Sequence, residues 1–132
     1  MGAGAGVKLV RGVIVVVDLD PSMGHEQHGR RPCVVVSDPD VITDQRFPLV
    51  CVVPITGTPG EGLLYPPLAP GQSGLAKNSF ALIDQLRSID KRRVRRVFGE
   101  IARDEMTAIN DGLAVFLGLA NRLPASGSLP VQ

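Results

Sequence analysis

The chain has 132 residues, 44% of them hydrophobic and 20% charged, and a formal net charge of +1. These are the proportions of one soluble globular domain with a modest core, and they set aside disordered, fibrous and disulfide-scaffold proteins. A net charge this small leaves any nucleic-acid footprint to local clusters of side chains.

The opening MGAGAGVKLV has too short an apolar part for a secretory signal, and no run approaches the roughly 18 apolar residues of a membrane span. A cytoplasmic protein is expected, with a single domain at 11–122 between flexible ends at 1–10 and 123–132. The first strand is Val13 to Val17, continuous and β-branched, as in a strand covered on both faces. After it comes a long polar stretch, Asp18 to Arg31, DLDPSMGHEQHGRR, longer than an ordinary connection between neighbouring strands. Gly24 and Gly29 let its backbone turn. Pro32, lacking a backbone N–H, suits the start of a second strand, Cys33 to Ser37. DPDVITDQRF is a connector with its own turns, and Leu49 to Ile55 is the third strand.

The stretch TGTPGEGLLYPPLAPGQSG excludes helix and regular central strand. Pro66, Pro67 and Pro70 predict an extended arm, and Leu63 to Pro70 is either a partner surface or a plain surface excursion. Short strands are expected near Ser79–Asp84 and Ser88–Ile89. From Asp104 the period becomes helical: Asp104 is a candidate N-cap, Glu105 suits the first turn, and Met106, Ile109, Leu113, Phe116, Leu117 and Ala120 form one apolar face. Gly112 weakens this helix by about 1 kcal/mol relative to alanine, and Pro124 lies beyond its end. The whole reads as mainly β, a small and strongly curved sheet or barrel with one terminal helix. No βαβ alternation is present.

The chemistry-bearing residues are few. Cys33 and Cys51 sit in valine runs and read as buried free thiols. His25 and His28 have no third histidine and no nearby cysteine, so neither a metal nor another cofactor is expected. The glycines at 2, 4 and 6 precede a strand, and those at 57, 60 and 62 lack the lysine and helix of a phosphate loop. Arg30 and Arg31 precede Pro32; a guanidinium fixed there suits phosphate oxygens, whereas Arg30 alone fits a solvated edge equally well. Thr56 closes the VVPIT run, and if the second and third strands pair, it and Arg31 share one end of the sheet. LRSIDKRRVRRV, with Arg87, Lys91, Arg92, Arg93, Arg95 and Arg96, is either a solvated face or a track for nucleic-acid phosphates. Aromatics are scarce, so any base stacking falls to arginine planes, His25, His28, Phe47 or Tyr65.

Taken in order, these segments resemble the MazF/PemK family of bacterial toxins. The fragments are RG at Arg11-Gly12, VDLDP at Val17–Pro21, GHEQHGRRPCVVVS at Gly24–Ser37 and VVPIT at Val52–Thr56. GL at Gly74-Leu75, IDQLRSIDKRRV at Ile83–Val94 and GEI at Gly99–Ile101 follow. The resemblance spans about Arg11 to Leu119, and it departs at Val15 and Val16, where relatives often carry aromatics.

It implies an SH3-like, PemK/CcdB-type barrel with a C-terminal helix, forming a homodimer. It further implies a sequence-specific endoribonuclease that cuts single-stranded RNA without a metal and is neutralised by a cognate antitoxin. Carried over by residue, Arg31 and Thr56 become catalytic. Glu26 is a candidate base should its loop close over RNA. His25, Gln27, His28, Arg30, Asn78, Gln85, Arg87 and Lys91 become candidate RNA contacts. A gyrase-directed toxin, or a non-catalytic nucleic-acid-binding module, would share the same barrel, because a fold does not by itself set a function.

Overall fold

Valine decides the centre of the molecule. The computed structural model describes residues 9–120, and β1 (Val13–Asp18), β2 (Arg30–Val35) and β3 (Leu49–Thr56) lie side by side in it, all antiparallel. β3 shares its other edge between β6 (Arg87–Asp90) along its first half and β5 (Ser79–Ala81) at its end. A two-residue β4 (Pro67–Leu68) extends β5, and β7 (Val94–Glu100) pairs with β1. The sheet order is β4-β5-β3-β2-β1-β7, with β6 also on β3.

Alternation along these strands feeds two cores, one on each face. Val13, Val15, Val17, Cys33, Val35, Val50 and Val52 point into the first, closed by Leu19, Ile42, Ile89 and Val94. Ile14, Val34, Val53 and Ile55 point into the second, covered by Leu68, Leu75, Ile83, Ile101 and Ile109. Ile109 belongs to α2 (Arg103–Phe116). Both faces being covered is why the strands read as unbroken apolar runs. The expected architecture, mainly β with a C-terminal helix, is therefore the observed one.

Several details differ. β2 begins at Arg30, so Pro32 lies inside it, opposite Val16; the β2–β3 ladder starts only at Cys33, so the missing N–H breaks no bond on that side. β7 has no counterpart in the sequence reading. Two register shifts against β1 break its period of two, leaving Arg95 and Arg96 both exposed. The connector after β2 holds a short helix, α1 (Pro39–Thr43), capped by Asp38.

Helix α2 starts at Arg103 with Ala102 as its N-cap, so Asp104 lies inside the first turn and does not cap it; Glu105, in the first turn as expected, accepts the Ala102 N–H at 2.9 Å with its Oε1. Of the expected face, Ile109 is buried and Met106 and Leu113 pack at the edge of the second core, but Phe116 and Leu117 are exposed. Gly112 is buried because the helix passes close to its neighbours: an added Cβ would stand 2.8 Å from the Leu63 carbonyl oxygen. The arm at Leu63–Pro70 is not a free surface, since Leu64 packs on the second core and Pro66 and Leu68 are buried. Cys33 is buried as expected, but Cys51 is only half-buried. Pro124 and the flexible ends expected at 1–10 and 123–132 lie outside the described residues, except Leu9 and Val10, which pack on the first core.

Candidate functional site

The β2–β3 register decides where Arg31 and Thr56 stand. Cys33 faces Pro54, and carrying that register two residues past the end of the ladder sets Arg31 opposite Thr56. Side chains alternate along a strand, and residues opposite one another in an antiparallel pair share a face. Arg31 therefore lies on the face of Cys33 and Val35, and Thr56 on the face of Pro54 and Val52, both at the end where the sheet opens.

Each of the two is oriented by local main chain. The Nε of Arg31 donates to the His28 carbonyl at 3.0 Å, and no acceptor among the described residues meets its terminal nitrogens. The Thr56 hydroxyl accepts the Thr58 N–H at 3.1 Å, which leaves its own proton to donate elsewhere. Next to Thr56 runs Lys77: a Cβ added to Gly57 would fall 2.5 Å from its Cε and 2.8 Å from its Nζ. The adjacent Asn78, a candidate from the sequence, is exposed, whereas Lys77 is not among the sequence candidates. Its only signal is a lone cation in an otherwise polar turn.

Next to this sheet end lies an open cleft of about 770 Å³ between the β1–β2 loop and the segment 84–88. His25, Glu26, Gln27, Gln85 and Arg87 wall it, with Leu19, Pro21, Met23, Pro54 and Leu86 as apolar surface. Five of the candidate residues are thus brought together. Arg31 and Thr56 stand beside the cleft rather than in its wall, Thr56 two residues along β3 from Pro54. Arg30 is exposed opposite Asp18 on β1, and His28 is exposed on the loop.

The loop is held by hydrogen bonds. Its Gly24 and Gly29 take φ of +55° and +72°, the left-handed region that glycine enters without strain. Leu19 N–H donates to the Gly29 carbonyl, and Gly29 N–H donates to Asp20 Oδ1 at 3.0 Å. Gln85 accepts the Gln27 N–H at 2.7 Å and donates to the His25 carbonyl at 3.4 Å; Arg87 donates to the Leu19 carbonyl at 2.9 Å. Glu26 Oε1 accepts the Met23 N–H at 2.6 Å, and the side chain is exposed.

The basic segment 87–96 does not form one continuous track. Arg87 and Arg93 bind loop carbonyls, and Lys91 donates to the carbonyls of Val41 and Asp44, away from the cleft. Arg92 pairs with Asp90 at 2.9 Å and holds that carboxyl down at about 2. Arg96 lies over the Phe98 ring. Of the proposed stacking residues, Phe47 is exposed, and Tyr65 donates its hydroxyl to Asp84 at 2.7 Å, which raises its pKa above the ordinary phenol value. Burial pushes the Cys33 thiol up to about 12, so it is no nucleophile at neutral pH. Among the described residues no group of three or more His, Cys, Asp or Glu is placed to hold a metal ion.

A family model described as a PemK-like, MazF-like toxin of type II toxin–antitoxin systems matches residues 10–117. Among solved structures, an endoribonuclease in complex with its cognate antitoxin, from a mycobacterial species, shares 23% identity at a TM-score of 0.72. That match covers 87% of this chain and 100% of the other. MazF from Deinococcus radiodurans is 28% identical at a TM-score of 0.67, over 83% of this chain and 96% of its own. A MazE-MazF structure from the same organism is 28% identical at 0.63, over 85% and 97%.

Proposed function

The chain belongs to the PemK-like, MazF-like toxin family of type II toxin–antitoxin systems, and on that premise we propose that it is a sequence-specific endoribonuclease cutting single-stranded RNA without a metal ion. The reading is supported above all by the β2–β3 register, in which Cys33 faces Pro54: continued two residues along both strands, it puts Arg31 and Thr56 on one face at the open end of the sheet. Single-stranded RNA is read on unstacked bases, and the cleft beside that end offers apolar walls with polar edges.

RNA carries its own nucleophile. The ribose 2′-OH attacks the adjacent phosphorus, the bond from phosphorus to the 5′-oxygen breaks, and that oxygen takes up a proton. The products are a 2′,3′-cyclic phosphate and a 5′-OH end. Charge gathers on the non-bridging oxygens as the new bond forms, and the free terminal nitrogens of Arg31 supply fixed donors for it. The Thr56 hydroxyl, oriented by the Thr58 N–H, donates to one of those oxygens or holds the 2′-OH in line. Glu26 is the candidate base, its second oxygen being left over from the Met23 hydrogen bond. His25, Gln27, His28, Arg30, Asn78, Gln85 and Arg87 complete the proposed RNA-binding set, with Gln85 and Arg87 acting mainly through the loop they hold; Lys91, whose ammonium is taken by the Val41 and Asp44 carbonyls, drops out of it.

The protein acts in this reading as a homodimer in the cytoplasm, as a single domain over 11–122, and a cognate antitoxin covers the RNA groove. Relatives solved with an antitoxin support that partner class, and among the described residues no helix is long and apolar enough to cross a membrane. The test is end-mapping of a defined RNA pool digested with EDTA present. Cuts at one short sequence with 5′-OH ends are expected, and none where the cleavage nucleotide is 2′-deoxy. An untouched pool would sink the ribonuclease reading and turn attention to gyrase or to binding alone.

A further inference from the structure

In the sequence Arg93 is one cation in a basic run, yet its side chain turns inward. It ends the 3-10 turn Lys91–Arg93 between β6 and β7, a turn capped by Asp90, whose Oδ1 accepts the Arg92 N–H at 2.8 Å. From there Nη2 of Arg93 donates to the carbonyls of Asp18 and Asp20, the second at 2.6 Å. These carbonyls are the root of the β1–β2 loop. Farther along the same loop, Arg87 takes the Leu19 carbonyl and Gln85 takes the Gln27 N–H and the His25 carbonyl.

The loop has little else to hold it. Leu19 is fully buried, but Met23 is 82% exposed, and Asp20, His25, Glu26 and His28 are exposed as well. Burial of apolar area therefore fixes one residue of the loop; bonds within it, such as Leu19 N–H to the Gly29 carbonyl, close it on itself, and side chains of the 85–93 segment tie it to the rest of the molecule. Hydrogen bonds from a charged donor are the stronger kind. A guanidinium donating to two carbonyls two residues apart also sets the direction of the chain as it leaves β1.

We infer that Arg93 is a positioning residue that holds the β1–β2 loop as a preset wall of the RNA site. The inference rests on the ribonuclease reading of that wall. The loop carrying Glu26 and leading into Arg31 then meets RNA with its root and its Gln27 contact already set. The Nη2 donors of Arg93 are directed at the main-chain oxygens behind the wall, so its part in this reading is to hold the loop, not to bind phosphate.

Removing the clamp leaves the loop in its competent geometry for only part of the time, and apparent affinity falls by that fraction. A loop competent about one tenth of the time raises the KM for RNA about tenfold, while kcat, measured with RNA bound, changes by less than about threefold. The Arg93→Ala protein should show this split. Its amide exchange at Gln27 and Gly29 should be about tenfold faster in the free protein, with β1–β3 amides unchanged. Binding of an uncleavable 2′-deoxy RNA should keep the wild-type salt slope, since every single-strand phosphate that a protein ceases to neutralise flattens that slope by about 0.7.

Unchanged exchange and unchanged KM would overturn the inference. So would a flattened salt slope, which would make Arg93 a phosphate ligand. If Arg93→Ala does not fold, Arg93→Lys serves: one ammonium in place of the fork should give an intermediate exchange rate, and wild-type exchange would overturn the proposal. The exchange measurement needs no RNA, so a wild-type protein that cuts nothing sinks the ribonuclease reading separately.

Discussion

Two long connections, 19–29 and 57–78, flank the same end of the sheet, and they are held by opposite means. Both are rich in glycine, proline and polar residues. The second is anchored by apolar side chains: Leu68 is 1% exposed, Leu75 8%, and Leu64 packs on the second core. Its buried Ser73 is satisfied by the Ala69 carbonyl at 2.8 Å, and Glu105 of α2 accepts the Ala69 N–H at 2.7 Å. The first has one apolar anchor, Leu19, and hangs on hydrogen bonds from Gln85, Arg87 and Arg93. Composition says that neither is a helix. It does not say which is bolted to the core and which is left facing a cleft with its polar side chains outward.

The comparison predicts that damage near the first connection is read in activity, and damage in the second in stability. The largest effect is at the sheet end. Arg31→Ala and Thr56→Ala should each lower RNA cleavage by about 10²–10³-fold, the range for losing one fixed donor to developing charge. Circular dichroism and melting temperature should stay near wild type. His25→Ala and His28→Ala serve as controls and should lose less than about tenfold; abolition by either would move the chemistry to histidine.

Next in size is Leu68→Ala, which removes a fully buried anchor of 57–78 and should lower unfolding free energy by about 2–5 kcal/mol. Denaturant titration reads it. Cleavage per folded molecule should be unchanged, and a loss beyond the folded fraction would show that 57–78 also shapes the site.

The smallest effect concerns the turn that presents Arg93. Arg92 holds the Asp90 carboxyl at about 2, below its ordinary 3.8. A carboxyl lowered on folding stabilises the native state above the unfolded value, and that contribution is lost as pH falls from about 3.8 towards about 2. Because the pair is exposed, the change is small. Asp90→Asn should lower the melting temperature slightly at pH 7 and should flatten the wild-type decline between pH 4 and 2. A decline of the same size in the variant would assign the acid sensitivity to other carboxylates.

Much of the architecture is legible in the residues, and the gaps have physical causes. The three valine-rich strands declare themselves because burial on both faces favours continuous apolar, β-branched runs. Helix α2 shows its period, but its cap lies two residues earlier than the pattern suggests: Asp104 resembles a cap, while the N-cap is Ala102, whose N–H Glu105 accepts. β7 is invisible in the sequence because bulges against β1 disturb its alternation. At the site, VVPIT and RRP suggest Thr56 and Arg31 as partners, yet only the register of Cys33 with Pro54, continued past the end of the ladder, brings them to one face.

The amino-acid sequence by itself determined the three valine-rich strands, the terminal helix, the long polar loop and the family, because each is written in local pattern or in the order of short motifs. Tertiary structure decided which cations face outward. Arg87, Lys91 and Arg93 belong to one basic run, yet carbonyls remote in sequence turn all three inward. A hydrogen bond between residues about seventy apart leaves no mark on either segment alone, so the division between wall and clamp exists only once the chain has folded.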